Sequence, residues 1–182
     1  AVRDAVAAKL RASVALGDSA GTQAMFQVAT GNGAALTGLA TCKSDNHRSF
    51  WLYVKHPDLF DRAGDLDHFE RQVAQAQQHD LGVKKTPDTS DAALAAMRAD
   101  VSAFYQRELQ CGDRSKAYVV ERSPGVYLLS VHVKDLSMVQ LEFQGDDLKR
   151  RVGNPNIHSV LEYSSAAGVT RSLVKGGAKY HQ

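Results

Sequence analysis

The chain has 182 residues, of which 43% are hydrophobic and 23% are charged, a balance that excludes an intrinsically disordered protein. Its two cysteines, Cys42 and Cys111, are too few for a disulfide scaffold and fit a reducing compartment, so we expect a cytoplasmic protein. No apolar stretch approaches the ~20 residues that a membrane span requires, and the N-terminal residues are too charged for a signal peptide. We therefore expect no membrane partner.

The net charge of +2 is unevenly distributed along the chain. Residues 1–56 carry six basic and three acidic side chains, residues 57–113 carry six and eleven, and residues 114–182 carry ten and six. Solvated helix faces take acidic residues readily, which would account for the acidic middle segment. The alternative is a dipolar molecule whose basic flanks meet an anionic partner.

In the first of these segments we predict one helix followed by short strands. Residues 2–16 repeat apolar side chains every four positions, as in an amphipathic helix. Residues 23–30 have strand character, and residues 34–42 are interpreted as a second strand, with a short Ala-rich helix as the alternative. Residues 48–55 are rich in aromatic and β-branched residues, which predicts a strand buried on at least one face.

The middle segment is predicted to be helical. Residues 58–80 carry apolar side chains at roughly helical spacing, and Gly64 is a position where this helix would divide into two. A further helix is predicted over residues 91–110, with Ser90 or Thr89 as its N-cap and Gly112 at its end.

From residue 117 onward the hydrophobic period changes to two, which indicates β-strands. Residues 117–122, 126–133 and 138–144 are predicted to form an antiparallel meander. If the apolar faces of the second and third strands coincide, their polar residues share the wetter face of the sheet. A histidine and a glutamate there would resemble a general acid–base pair, although such faces are polar by default. These polar residues are Ser130, His132, Gln140 and Glu142.

A last hairpin is predicted to pair residues 159–164 with residues 169–174. A four-residue turn between them would place Glu162 directly across from Arg171, an ion pair that requires no functional explanation. The order of elements predicts an α+β fold: a C-terminal, mostly antiparallel sheet packed against central helices, with an N-terminal helix and short strands. We expect a single domain over residues 1–182.

A basic strip in the C-terminal third supports the leading functional prediction. Arginine and lysine side chains with asparagines on loops beside a sheet can hold phosphate groups. The sequence therefore favours a binding or interaction module, whole or part of a larger chain, that presents a basic sheet or loop surface to an anionic protein or nucleic acid. The predicted contacts are Lys149, Arg150, Arg151, Asn154, Arg171 and Lys175.

The alternative prediction is a cysteine-dependent amidase, deamidase or peptidase. Cys42 ends one predicted strand, and His47 and His56 lie at the two ends of the next one. An imidazole beside the thiol would lower the pKa of the thiol and produce a nucleophilic thiolate. A buried cysteine that only fills space is the competing explanation, and an inert structural subunit is a third possibility.

The candidate cofactor and metal motifs lack either the required residues or the required spacing. The segment from Gly33 to Gly38 copies the glycine spacing of a phosphate loop, but Leu39 and Ala40 stand where lysine and a hydroxyl residue are required. The cysteines have no zinc spacing, and the acidic residues between Asp58 and Glu70 do not have that of an EF-hand. We therefore predict no cofactor and no metal.

Overall fold

The computed structural model describes residues 2–174, with side chains left out at 2–5, 142 and 144. The fold is α+β, as predicted, with a five-stranded antiparallel sheet packed against helices. No helix of the described residues is long and apolar enough to cross a bilayer. The helices are α1 (Val2–Ala15), α2 (Ser19–Val28), α3 (Gly33–Thr41), α4 (Asp45–Lys55), α5 (Pro57–Gln72) and α6 (Asp91–Leu109). The strands are β1 (Gln77–Asp80), β2 (Ser115–Ser123), β3 (Val126–Lys134), β4 (Met138–Gln144), β5 (Asp147–Gly153), β6 (Asn156–Ser164) and β7 (Val169–Val174).

The chain forms two compact units. Among the described residues, the first unit comprises 2–76 together with 120–128, the turn end of the β2–β3 hairpin. The second unit comprises 77–119 together with 129–174. The prediction of a single domain is not tested by this division and stays a prediction.

The first unit is helical where short strands were expected. The strands predicted over residues 23–30 and 48–55 are wrong, because α2 and α4 occupy those stretches, and the helical alternative for residues 34–42 is realised in α3. Each of these helices begins at a side-chain N-cap, which satisfies an amide that the helix itself leaves unpaired. Asp18 accepts from the amide of Gly21 (2.8 Å), Asn32 from that of Ala35 (3.0 Å) and Ser44 from that of His47 (3.2 Å).

Helix α4 contacts α1, α2, α3 and α5, and this packing decides its conformation. It buries Ser49 and Leu52 completely, three positions apart on one helical face, so tertiary contacts override the strand preference of its aromatic residues. A Cβ atom at Gly38 of α3 would lie 2.0 Å from the ring of Trp51, so only glycine permits this approach of the two helices. The helix predicted over residues 2–16 is confirmed as α1.

Helix α5 is continuous through Gly64, so the predicted division does not occur. Pro57 stands at its first turn, where its missing N–H leaves no hydrogen bond unmade. The helix ends at Gln72, and a single 3₁₀ turn leads into β1. The prediction of helix as far as residue 80 is therefore wrong at its end, because residues 77–80 pair with β7 as an edge strand.

The five-stranded sheet of the second unit has the order β1–β7–β6–β3–β2. Helix α6 packs against it and confirms the helix predicted over residues 91–110, with Ser90 accepting from the amide of Ala93 at 3.3 Å. The helix ends at Leu109, and the capping residue Gln110 adopts the left-handed conformation (φ 55°). The amide of Gly112 then donates to the carbonyl of Lys134. The core between helix and sheet consists of Tyr105, Cys111, Val131, Val133 and Ile157.

The third strand of the predicted meander lies elsewhere. The strand itself is confirmed as β4, but β4 pairs with β5 in a separate two-stranded sheet, and β3 lies between β6 and β2. His132 and Glu142 are therefore not on neighbouring strands, so the strand pairing that the general acid–base pair required is absent from the described residues. The face of β3 expected to be wet is also covered, since Ser130 is 2% exposed.

The β4–β5 hairpin leaves the five-stranded sheet between β3 and β6, and its two ends are tied together. The amide of Asp135 donates to the carbonyl of Pro155 at 2.9 Å. Beside this bond, the hydroxyl of Ser137 donates to the side-chain oxygen of Asn154 at 2.6 Å. These bonds give the hairpin a defined base, and that base positions the candidate site.

Candidate functional site

A surface cleft of about 530 Å³ lies in the second unit, at the base of the β4–β5 hairpin. Its walls come from the start of β2, the end of β3 and the turn that enters β6. A cleft built on three strand ends has a rigid frame, because each strand is held by its neighbours in the sheet. Its principal polar side chains are Arg114, Lys116, His132, Lys134, Asn154 and Asn156.

Positive charge is concentrated in this cleft. Arg114 and Lys116 are exposed, and they are two positions apart at the start of β2. Among the described residues the guanidinium of Arg114 has no ion-pair partner, whereas Lys134 is bridged to Asp113 at 3.1 Å. Three basic side chains therefore line the cleft, and the one at Lys134 is paired with a carboxylate.

A hydrogen-bonded histidine forms one wall of the cleft. The hydroxyl of Tyr118 lies 2.9 Å from Nε2 of His132, and the amide nitrogen of Asn156 lies 2.7 Å from its Nδ1. Both ring nitrogens are thus engaged, and the orientation of the ring is fixed.

A second imidazole stacks on this ring. The rings of His132 and His158 are 4.3 Å apart between centroids and 5° from parallel. Nε2 of His158 lies 2.9 Å from the hydroxyl of Ser130. A hydroxyl–imidazole pair is the beginning of a nucleophilic dyad, but Ser130 is buried on β3 and cannot reach a substrate. The pair therefore anchors the histidines and offers the cleft no accessible nucleophile.

The predicted contacts on β5 are exposed and extend away from the cleft. Lys149 and Arg151 share one face of the hairpin, and Arg150 is on the other, opposite Leu141. Asn154 follows this strand and lines the cleft itself. The basic strip thus continues from the hairpin to the cleft through consecutive residues of the chain.

The two remaining predicted contacts have different outcomes. Arg171 is directly opposite Glu162 in the register of β7 and β6, and its guanidinium lies 3.3 Å from that carboxylate, so the predicted ion pair is confirmed. Glu162 is buried, so the role of Arg171 is to stabilise a buried carboxylate. Lys175 lies outside the described residues.

The residues of the cysteine hypothesis are placed at a helix rather than around a strand. Cys42 is buried, its thiol donates to the carbonyl of Gly38, and burial raises the pKa of the thiol, against a smaller opposing effect of Arg48. His47 and His56 lie at opposite ends of α4, about 13 Å apart along its axis. The geometry gives no support to an activated thiolate, and catalysis by Cys42 stays an untested prediction.

Sequence reasoning missed the cations of the cleft. Arg114 directly precedes β2 and Lys116 is its second residue, and this spacing of two, which places both side chains on one face, could have indicated them. Sequence analysis did not predict that β3 and β6 are neighbours, because it placed β4 beside β3 in an antiparallel meander. Only that adjacency brings His132 together with Asn156 and His158.

Comparison with known protein families, with curated proteins and with solved structures found no match. The functional argument therefore rests on the charges and hydrogen bonds of the cleft. Those describe a surface lined by three basic side chains, with amide groups at its rim and a hydrogen-bonded imidazole in its wall.

Proposed function

We propose that the chain is a nucleic-acid-binding module whose cleft holds phosphate groups of the bound strand. The observation that carries this proposal is the convergence of Arg114, Lys116 and Lys134 with two asparagine side chains on one cleft. Phosphate oxygens accept hydrogen bonds from these residue types in most protein–nucleic acid interfaces. The planar guanidinium of Arg114 can also hold a phosphate through two parallel hydrogen bonds, in addition to the charge attraction.

The asparagines favour nucleic acid over an acidic protein. Asn154 and Asn156 are exposed at the rim, and an amide both donates and accepts hydrogen bonds. Sugar hydroxyls and base edges present both donors and acceptors, whereas a carboxylate partner presents only acceptors. The Asn154 oxygen already accepts from Ser137, and a site for acidic side chains alone would gain nothing from the Asn156 oxygen.

The hairpin lengthens the proposed surface. From Lys149 to Asn154 the chain extends about 17 Å at ~3.3 Å per residue, so β5 can follow a strand beyond the cleft. Asp146 and Asp147 stand at the turn of the hairpin and repel phosphates. The contacts are therefore expected near the base of the hairpin and not at its tip.

The test is fluorescence anisotropy with a labelled single strand of about 12 nucleotides, and with its duplex, across a range of salt concentrations. The double variant Arg114→Glu with Lys116→Glu should weaken binding at least about tenfold. It should reduce the salt slope by about 1.8 on the duplex and about 1.4 on the single strand, since each lost phosphate contact removes ~0.9 and ~0.7 respectively. Arg107→Glu is the matched control. Arg107 is an exposed arginine of α6 that pairs with Glu108 and is not part of the cleft.

A companion variant, Arg150→Glu with Arg151→Glu, measures the contribution of the hairpin. We expect a smaller loss than for the cleft variant, because these side chains extend the surface without lining the cleft. Unchanged binding in the cleft variant, or an equal loss in Arg107→Glu, would reject the proposal. Equal affinity for a poly-glutamate peptide would reject nucleic acid in favour of an acidic protein.

A further inference from the structure

The apolar face of the β4–β5 hairpin carries an inference that is independent of the cleft. In the register of the two strands Val139 is opposite Val152, Leu141 opposite Arg150 and Phe143 opposite Leu148, so these side chains share one face. The five apolar residues on it are between 51% and 78% exposed. A contiguous apolar surface of this kind marks an interaction site.

Strand pairing offers the hairpin the stability that it lacks alone. A two-stranded sheet is marginally stable in water, and independent stability requires three or more strands. Among the described residues neither β4 nor β5 has a strand on its outer edge. Each edge therefore presents unpaired backbone donors and acceptors, which are a template for a further strand.

Charge distinguishes the two edges. When a strand pairs antiparallel with its own copy about a two-fold axis, residues of that strand stand opposite one another. On β5, with the central Arg150 on the axis, this would set Lys149, Arg150 and Arg151 against the same three cations of the second copy, and like charges directly opposite are destabilising. Charge thus disfavours self-pairing of β5 about its centre.

On β4 the same operation places apolar residues against each other. With Leu141 on the axis, it meets its own copy, and Val139 stands opposite Phe143 of the second copy. Aromatic and β-branched side chains are favourable cross-strand pairs. We propose that β4 pairs with β4 of a second copy of this chain, which gives a four-stranded sheet in the order β5–β4–β4–β5.

This pairing leaves the basic residues available. Lys149, Arg150 and Arg151 are on β5, which becomes the outer strand on both sides of the four-stranded sheet. The two copies would present two basic strands and two clefts, but the pairing itself requires no nucleic acid. Its success or failure is therefore distinguishable from that of the proposed function.

The test is the oligomeric state by sedimentation equilibrium between about 1 and 100 µM, a range suited to modest interfaces. The wild-type chain should be dimeric at the upper end. Leu141→Lys sets two cations against each other at the axis, and the dimer dissociation constant should rise at least about tenfold. Val152→Lys is the matched control, since Val152 is on the same face with similar exposure but on β5, and it should change that constant by less than about threefold.

A cross-linking experiment gives a second readout at exposed positions. Leu141→Cys should form a disulfide between copies under mild oxidation, because opposite residues of paired strands bring their Cβ atoms within about 5.5 Å, whereas Val152→Cys should not. Cys42 and Cys111 are buried and stay out of this reaction. A monomer at all concentrations, or a dimer indifferent to Leu141→Lys, overturns the proposal. Equal disruption by both lysine variants also overturns it, in favour of packing through the whole apolar face.

Discussion

Strands β3 and β4 alternate apolar and polar residues in the same way, yet the apolar side chains are buried in β3 and exposed in β4. Val131 and Val133 of β3 are at most 2% exposed, whereas Val139 and Phe143 of β4 are 63% and 78% exposed. Strand β3 has a neighbour on each edge and α6 over one face, and β4 has a single neighbour, β5, among the described residues. Alternation therefore predicts a strand, but what covers the strand depends on chain segments far away in sequence.

The largest expected difference is in amide hydrogen exchange. Amides of β3 and β6 open only in reactions close to global unfolding, and those of β4 and β5 open by local fraying of an isolated hairpin. In a dilute sample we expect protection in β3 to exceed that in β4 by at least about a thousandfold, a factor that follows from several kcal/mol of extra stability. Mass-spectrometric exchange measures both segments together, and equal protection would show that the hairpin is anchored by contacts not described above.

The second test applies one substitution to both strands. Val131→Ala removes buried methyl groups from the core under α6 and should lower the free energy of unfolding by about 2 kcal/mol. Val139→Ala removes the same groups from an exposed position and should change it by less than about 0.5 kcal/mol. Urea denaturation of the two variants at low protein concentration measures the contrast. Similar losses would mean that the face of β4 is covered in solution.

A third and smaller contrast concerns two arginines. Arg171→Gln removes one ion-pair contact from the buried carboxylate of Glu162 and should reduce stability by about 1–2 kcal/mol. Arg150→Gln acts on an exposed residue opposite Leu141 and should be neutral within about 0.5 kcal/mol. Thermal unfolding of both variants in the same buffer gives the comparison. A destabilising Arg150→Gln would assign that arginine a structural partner.

Local signals predicted part of the fold correctly. The α+β class, α6 with its Ser90 cap and the opposition of Glu162 and Arg171 all depend on short-range patterns: periodicity, a capping residue and the length of a turn. The cleft was predicted only in fragments, of which Asn154 is one. Its assembly depends on β6 lying next to β3, and no local pattern encodes a pairing across an intervening hairpin.

The errors in the first unit have a different origin. Aromatic and β-branched residues in residues 48–55 have a strand preference, but Ser44 stands before them as an N-cap and Asp45 follows in the first turn. Asp18 and Asn32 precede α2 and α3 in the same way. The capping residues were the more reliable signal, because β-propensity largely reflects the packing environment and this environment is helical.

The closed base of the β4–β5 hairpin has a consequence for how this chain can change over evolutionary time. Because Asp135 and Pro155 are hydrogen-bonded to each other, the segment between them begins and ends at nearly the same place. A segment with joined ends can be lengthened, shortened or exchanged without displacing β3 or β6, since the closure of its loop is already made. The length and sequence of the hairpin can therefore change to suit a partner, whereas β3 and β6 are constrained by their pairing within the sheet.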